Sequence, residues 1–148
     1  MLEIREVQPQ DFFSIIKLAY ESLTEVYSPM VFNTFYESYP KGFLVAEKNK
    51  KIVGFIIGIK MSDVGAKISM MAVNKNYRRN KIGSLLINNL IQRLKQDNVL
   101  ILDLEVRTNN TSAIQFYKKH GFIISEKILK FYQTGEDAYI MERKLHAN

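Results

Sequence analysis

A basic segment followed by a helical pattern contains residue types that could bind an anion. Arg78-Arg79-Asn80-Lys81 follows a predicted strand, and Ile82-Gly83-Ser84 opens a predicted helix. The first N–H groups of a helix lack partners inside the helix and lie at the positive end of its dipole, where they can bind a phosphate. Gly83 has no Cβ that would obstruct a ligand. The segment therefore predicts an anion site, with a solvated basic turn as the alternative.

Two later segments strengthen this interpretation because all three together carry a family resemblance. The later segments are Leu104-Glu105-Val106-Arg107 and Asn110-Thr111-Ser112-Ala113-Ile114-Gln115-Phe116-Tyr117, the second followed by His120-Gly121-Phe122. With the basic segment they resemble the GCN5-related N-acetyltransferase (GNAT) family over nearly the whole chain. The C-terminal part resembles the protein N-terminal acetyltransferases of this family, the bacterial RimI kind and their archaeal and eukaryotic counterparts. That signature consists of Phe131-Tyr132, Gly135-Glu136-Asp137-Ala138-Tyr139 and Met141.

The resemblance implies that the protein transfers an acetyl group from acetyl-coenzyme A to the N-terminal α-amine of proteins or peptides. It also implies that the cofactor lies along a strand and that its pyrophosphate binds the amides at the start of the following helix. For Asn110, a helix cap is the structural alternative. The implied cofactor-binding residues are Met71, Ala72, Val73, Arg78, Arg79, Asn80, Lys81, Ile82, Gly83, Ser84, Asn110 and Tyr117.

Lys81 is a departure from the family pattern, which has Gly at this position. If the backbone there needs a positive φ, a side chain strains it by on the order of 1 kcal/mol. In a helical conformation Lys81 would be harmless, and its charge would favour phosphate binding. The affinity for the cofactor is therefore the property that we expect Lys81 to change.

The resemblance also assigns roles in catalysis and in acceptor binding. It implies that Glu105 is the general base, acting directly or through water, and that Tyr117 is the general acid that protonates the departing thiolate. Glu25, Tyr27 and Tyr132 would line the site for the acceptor's N-terminus. The structural alternative for Glu105 is a strand carboxylate paired with Arg107 or a lysine. For Tyr117 it is an aromatic residue at the edge of the core, and for Glu25 a solvated loop glutamate.

The ordinary pKa values of the two amine types favour an N-terminal acceptor. An α-amino group has a pKa of about 7.7 to 8.0 and a lysine about 10.4. Near neutral pH the fraction in the neutral form is therefore a few hundredfold smaller for a lysine than for an α-amine. That difference corresponds to roughly 3.5 kcal/mol of extra deprotonation work. A site with one carboxylate and several tyrosines suits the α-amine better, and a lysine or small amine is the alternative acceptor.

The order of predicted elements supplies a scaffold for these residues. Apolar periodicity predicts strand, helix, loop with a short helix, three strands, helix, strand, helix and two strands. This order predicts a single α/β domain over residues 1–148. Its sheet would be mixed, with helices on its faces. The resemblance to the GNAT family implies that the sheet is mostly antiparallel, with six to seven strands flanked by about four helices. The predicted elements are a first strand from Leu2 that Gln8-Pro9 ends, strands near 43–46, 52–59, 66–73, 100–106, 122–129 and 138–141, and helices near 11–22, within 27–39, at 82–96 and after Asn110.

Composition narrows the class of protein. The 148 residues carry 47% apolar and 24% charged side chains, which are globular proportions. No apolar run approaches the roughly 20 residues of a membrane span, so no membrane association is expected. The chain has no cysteine, which excludes disulfides and thiolate nucleophiles, and the sequence predicts a reducing, cytoplasmic location. No metal site is expected, because neither histidine has a nearby ligand set.

The net charge of +6 indicates a polyanionic partner of some kind. The expected partners are acetyl-coenzyme A and protein or peptide N-termini, including nascent chains on the ribosome. A basic nucleic-acid-binding module that uses Arg78, Arg79, Lys81 and the lysine turns is the alternative from another class, but no recognised nucleic-acid readout motif supports it. A fold relative without activity is a third alternative.

Overall fold

The fold of the chain was obtained as a computed structural model that describes residues 1–145 except Thr24 and Val26; the side chains of Arg79 and Asn80 also lie outside the described part. The described residues form seven strands and four α-helices. The strands are β1 (Leu2–Glu6), β2 (Phe43–Lys48), β3 (Lys51–Lys60), β4 (Gly65–Val73), β5 (Ile101–Arg107), β6 (Ile123–Ile128) and β7 (Ala138–Lys144). The helices are α1 (Phe12–Ser22), α2 (Pro29–Ser38), α3 (Ile82–Gln96) and α4 (Thr111–Lys119).

The strands form one sheet in the order β1-β2-β3-β4-β5-β7-β6, with β4 and β5 parallel and the other neighbouring pairs antiparallel. Helices α1 and α2 bury their apolar faces against one side of the sheet, around Phe32 and Phe55. Helices α3 and α4 pack on the other side, around Leu90 and Leu104. This arrangement confirms the predicted mixed, mostly antiparallel α/β fold.

Helix α3 starts and ends at the predicted residues because its apolar residues follow the helical period. For three segments the observed length differs from the predicted one. Helix α2 runs for ten residues, since Ser28 caps it and Pro29 at its first position starts a helix rather than breaking one. The turn between β2 and β3 is only two residues long, because Asn49 and Lys50 both adopt a positive φ, as tight hairpins require. The last strand, β7, continues to Lys144, three residues beyond its predicted end.

Strands β4 and β5 are paired over only part of their length. Their ladder covers Gly65–Lys67 against Ile101–Asp103, although β4 continues to Val73. Ser69 is an extra residue in β4, since Ile57 of β3 pairs with Met70 while the next residue, Gly58, pairs with Ile68. Such a bulge bends and twists its strand. The sheet therefore opens between β4 and β5 near the point where the predicted site residues begin.

No helix in the described part of the chain is long and apolar enough to span a membrane.

Candidate active site

The turn before α3 gives the predicted anion site its backbone geometry. Lys81 has φ 59° and ψ 25°, in the left-handed region. The positive-φ alternative is therefore the right one, and the side chain at this position costs on the order of 1 kcal/mol of conformational strain. Helix α3 begins directly afterwards with Ile82, whose side chain is fully buried. The amides of the first turn are therefore the groups that this segment offers to an anion.

Helix α4 lies against the first turn of α3. A Cβ on Gly83 would come within 3.3 Å of the Phe116 ring, so Gly83 lets the two helices approach closely. Ser84 Oγ and His120 Nε2 are 3.0 Å apart. Tyr117 lies on α4 and packs against Phe116, with the ring centroids 5.3 Å apart. The helix that carries the predicted general acid therefore lies against the turn that carries the predicted pyrophosphate residues.

The free edge of β4 lies beside this helix turn. Met71, Ala72 and Val73 pair with β3 on one side, whereas the β5 ladder ends at Lys67. Within the described residues, no strand pairs with these three on the β5 side. An unpaired strand edge can hydrogen-bond an extended ligand as an added strand would. The predicted cofactor strand is thus available on the side where the sheet opens.

Asn110 and Arg78 both make contacts within the protein. The Asn110 side chain accepts a hydrogen bond from the Ala113 amide at 3.2 Å and so caps α4. Arg78 Nε donates to the Val73 carbonyl at 3.3 Å. The cap predicted as an alternative for Asn110 is therefore present. The predicted cofactor-binding side chains of Arg79 and Asn80 fall outside the described part of the structure.

Glu105 lies on the face of β5 opposite to Leu104, which we call the open face, and it pairs with a cation from β4. Its carboxylate forms an ion pair with the Lys67 ammonium, and about 20% of the Glu105 side chain and 25% of the Lys67 side chain are exposed. Of the two partners that the sequence allowed for Glu105, a lysine is the one found. Sequence reasoning did not select Lys67, because the contact depends on the register between two strands separated by a whole helix.

Arg107 joins the two loops that carry the predicted acceptor residues. Its guanidinium forms ion pairs with Glu25, from the loop between α1 and α2, and with Glu136, at 3.2 Å, from the loop between β6 and β7. It also stacks 4.1 Å from the ring centroid of Tyr132. These contacts gather Glu25 and Tyr132 around the end of β5. Sequence reasoning considered Arg107 only as a partner for Glu105, although the strand alternation already put both on one face.

Burial shifts the pKa of several tyrosines near the site. Tyr117 is buried, which raises its pKa to about 12. Burial likewise raises the pKa of Tyr132 to about 12, although the neighbouring Arg107 opposes the shift. The pKa of Tyr27 is also raised, first by burial and then by the charge of Glu25. All three phenols therefore keep their protons at neutral pH and can donate hydrogen bonds.

Comparison with known proteins is consistent with this geometry. Residues 9–122 match the model of the acetyltransferase (GNAT) family. The chain is 32% identical to an N-alpha-acetyltransferase of Sulfurisphaera tokodaii, over 96% of this chain and 92% of the relative. The crystal structure of Ard1 from Thermoplasma volcanium superposes with a TM-score of 0.95 at 36% identity, over 98% of both chains. The structure of Chaetomium thermophilum Naa20 with a bisubstrate analogue superposes with a TM-score of 0.88 at 28% identity, over 97% of this chain and 86% of that chain.

The family match agrees with two features of the structure. The sheet opens between β4 and β5, and the first turn of α3 lies beside this opening. The chain belongs to the GNAT acetyltransferase family and is an acetyl-coenzyme A-dependent N-acetyltransferase.

Proposed function

We propose that this enzyme acetylates the N-terminal α-amino group of proteins or peptides. The observation that carries the proposal is the position of Glu105 on the open face of β5, with Glu25 and Tyr132 held nearby by Arg107. Carboxylates and phenol rings suit a cationic peptide terminus. The name of the Sulfurisphaera tokodaii relative, an N-alpha-acetyltransferase, supports the same acceptor class.

The residues around the opening fit acetyl-coenzyme A, which supplies the acetyl thioester when bound. The edge of β4 from Met71 to Val73 would bind its extended arm, and an N–H near Met71 or Ala72 would polarise the thioester carbonyl. The amides from Lys81 to Ser84 would hold its pyrophosphate. The bisubstrate complex of the Chaetomium thermophilum relative supports a shared site for donor and acceptor.

Glu105 would remove a proton from the acceptor's ammonium, directly or through water. The neutral amine could then attack the thioester carbonyl in a ternary complex; the C–N bond would form as the C–S bond breaks, and the second proton lost by the nitrogen would pass through water to the departing thiolate sulfur. Tyr117 would stabilise that thiolate. Since the pKa of Tyr117 is about 12 and that of an ordinary thiol is about 8.5, complete proton transfer is uphill. Tyr117 therefore acts foremost as a hydrogen-bond donor to the sulfur.

The raised pKa of Tyr117 predicts how the reaction responds to pH. Burial favours the neutral phenol, so Tyr117 stays protonated up to about pH 11. We expect no loss of kcat from its ionisation between about pH 8 and pH 10. Tyr117→Phe should lower kcat roughly tenfold to a hundredfold throughout that range without changing the shape of the profile. A fall in wild-type kcat above about pH 9 that Tyr117→Phe abolishes would contradict this assignment.

The acceptors that we propose are protein N-termini in the cytoplasm, including those of nascent chains on the ribosome. The requirement for a neutral amine supports α-amines over lysines, as the ordinary pKa values of the two groups show. The acidic residues near the opening support a cationic acceptor rather than a nucleic acid.

Two peptides separate the acceptor classes. One has a free α-amine and no lysine; the other has a blocked N-terminus and one lysine, in an otherwise identical sequence. Steady-state assays with acetyl-coenzyme A should give kcat/KM at least about a hundredfold higher for the first peptide. A higher value for the second peptide would make the protein a lysine acetyltransferase.

A further inference from the structure

Lys67 lies between two carboxylates on the open face of the sheet. It is the register partner of Asp103 across β4 and β5, yet its ammonium contacts Glu105, two residues further along β5. Asp103 Oδ1 is buried and has no hydrogen-bond partner within the described residues. Burial raises the pKa of Asp103, and Glu105 and Glu142 act in the same direction, whereas Lys67 opposes them. Asp103 is therefore a carboxyl group that an arriving cation would stabilise.

The Lys67 ammonium can reach either carboxylate. Neighbouring strands are about 4.8 Å apart, and alternate residues on one strand are about 6.6 Å apart. The flexible four-carbon stem of a lysine spans these distances. The side chain could thus exchange Glu105 for Asp103 without any backbone movement.

We propose that Lys67 is a positioning residue that exchanges between these carboxylates during the reaction. It pairs with Glu105 before the acceptor binds, and it moves to Asp103 when the acceptor's ammonium takes its place beside Glu105. Two ammonium groups on one carboxylate repel each other, and Asp103 gives the displaced cation a partner. This inference rests on the proposed function, because it requires Glu105 to face the acceptor amine.

Steady-state kinetics with an acceptor peptide tests the exchange through a double-mutant cycle. Asp103→Asn should raise the acceptor KM about tenfold, because Lys67 then competes for Glu105, with kcat and the acetyl-coenzyme A KM changed less than about twofold. In a Lys67→Met background, the same substitution should leave the acceptor KM unchanged within about twofold. In a Lys67→Arg background the rise should persist, since the cation is retained.

Glu142→Gln is the matched control. Glu142 is the register partner of Asp103 on the opposite side, in β7, so this variant removes the same charge from the same face. If the acidic face only attracted the acceptor by its overall charge, both substitutions would raise KM alike. We expect Glu142→Gln to change KM by less than about twofold. Thermal unfolding of each variant checks the fold, and Asp103→Asn should not lower stability, because burial already disfavours the charge that it removes.

The outcomes separate this proposal from the function on which it rests. Full turnover by Glu105→Gln would overturn the role of Glu105 and the exchange with it. If Glu105→Gln is inactive but Asp103→Asn has the same effect with and without Lys67, the exchange is wrong and the proposed function stands. An equal rise in KM for Glu142→Gln would also overturn the exchange.

Discussion

Glu105→Gln is expected to lower kcat by about a hundredfold or more, which is the usual contribution of a general base. The amide keeps the size of the side chain and its position on β5, but it cannot accept the proton of the acceptor's ammonium. Binding of acetyl-coenzyme A should be unchanged, because the proposed cofactor contacts lie on β4, on the turn into α3 and on α4, and none of them is on β5. Single-turnover assays and calorimetric titration with coenzyme A measure the two quantities separately.

Glu25→Gln is the comparison that distinguishes the candidate carboxylates. Glu25 is paired with Arg107 in the acceptor loop, so we expect its replacement to raise the acceptor KM while kcat stays within about tenfold of wild type. If Glu25→Gln lowers kcat more than Glu105→Gln does, the base is Glu25 and our assignment is wrong.

Arg107→Met should raise the acceptor KM by roughly tenfold to a hundredfold, because two loops lose the side chain that joins them. The variant removes the ion pairs with Glu25 and Glu136 and the stacking on Tyr132. The acetyl-coenzyme A KM should not change. Arg107→Lys should recover only part of the loss, since a lysine keeps the charge but lacks the planar fork that binds two carboxylates and stacks on a ring.

Arg5→Met provides the control for a general loss of stability. Arg5 also joins two carboxylates, those of Asp11 and Glu47, and its side chain is 23% exposed, compared with 20% for Arg107. It lies on β1, at the far edge of the sheet. We expect this variant to lower the unfolding temperature and to leave both KM values unchanged. An equal rise in acceptor KM for both variants would show that Arg107 acts through stability alone.

The sequence was most informative where local periodicity determines structure. The helical spacing from Ile82 to Leu94 gave the bounds of α3, and the alternation along β5 correctly put Asp103 and Glu105 on the face opposite to Leu104. These features depend on neighbours a few residues away. The class of sheet followed from the order of the elements, and the family motifs supplied the same fold independently.

The contacts within the site could not be predicted in this way. Lys67 and Glu105 are 38 residues apart, and Arg107 and Glu25 are 82 residues apart. Their pairing depends on strand register and on how the loops fold over the sheet end. The left-handed conformation of Lys81 was only one of two alternatives, because a lysine adopts the helical region more readily and only the turn before α3 imposes a positive φ.

The central claim concerns which amine receives the acetyl group, and one peptide with a free N-terminus and an internal lysine tests it directly. After incubation with the protein and acetyl-coenzyme A, fragment ions in a mass spectrum locate the added acetyl group. We predict that it is on the α-amine, that Glu105→Gln forms at most about a hundredth of this product at early times, and that the lysine is then unmodified. Acetyl on the lysine with the α-amine free would contradict the proposed function.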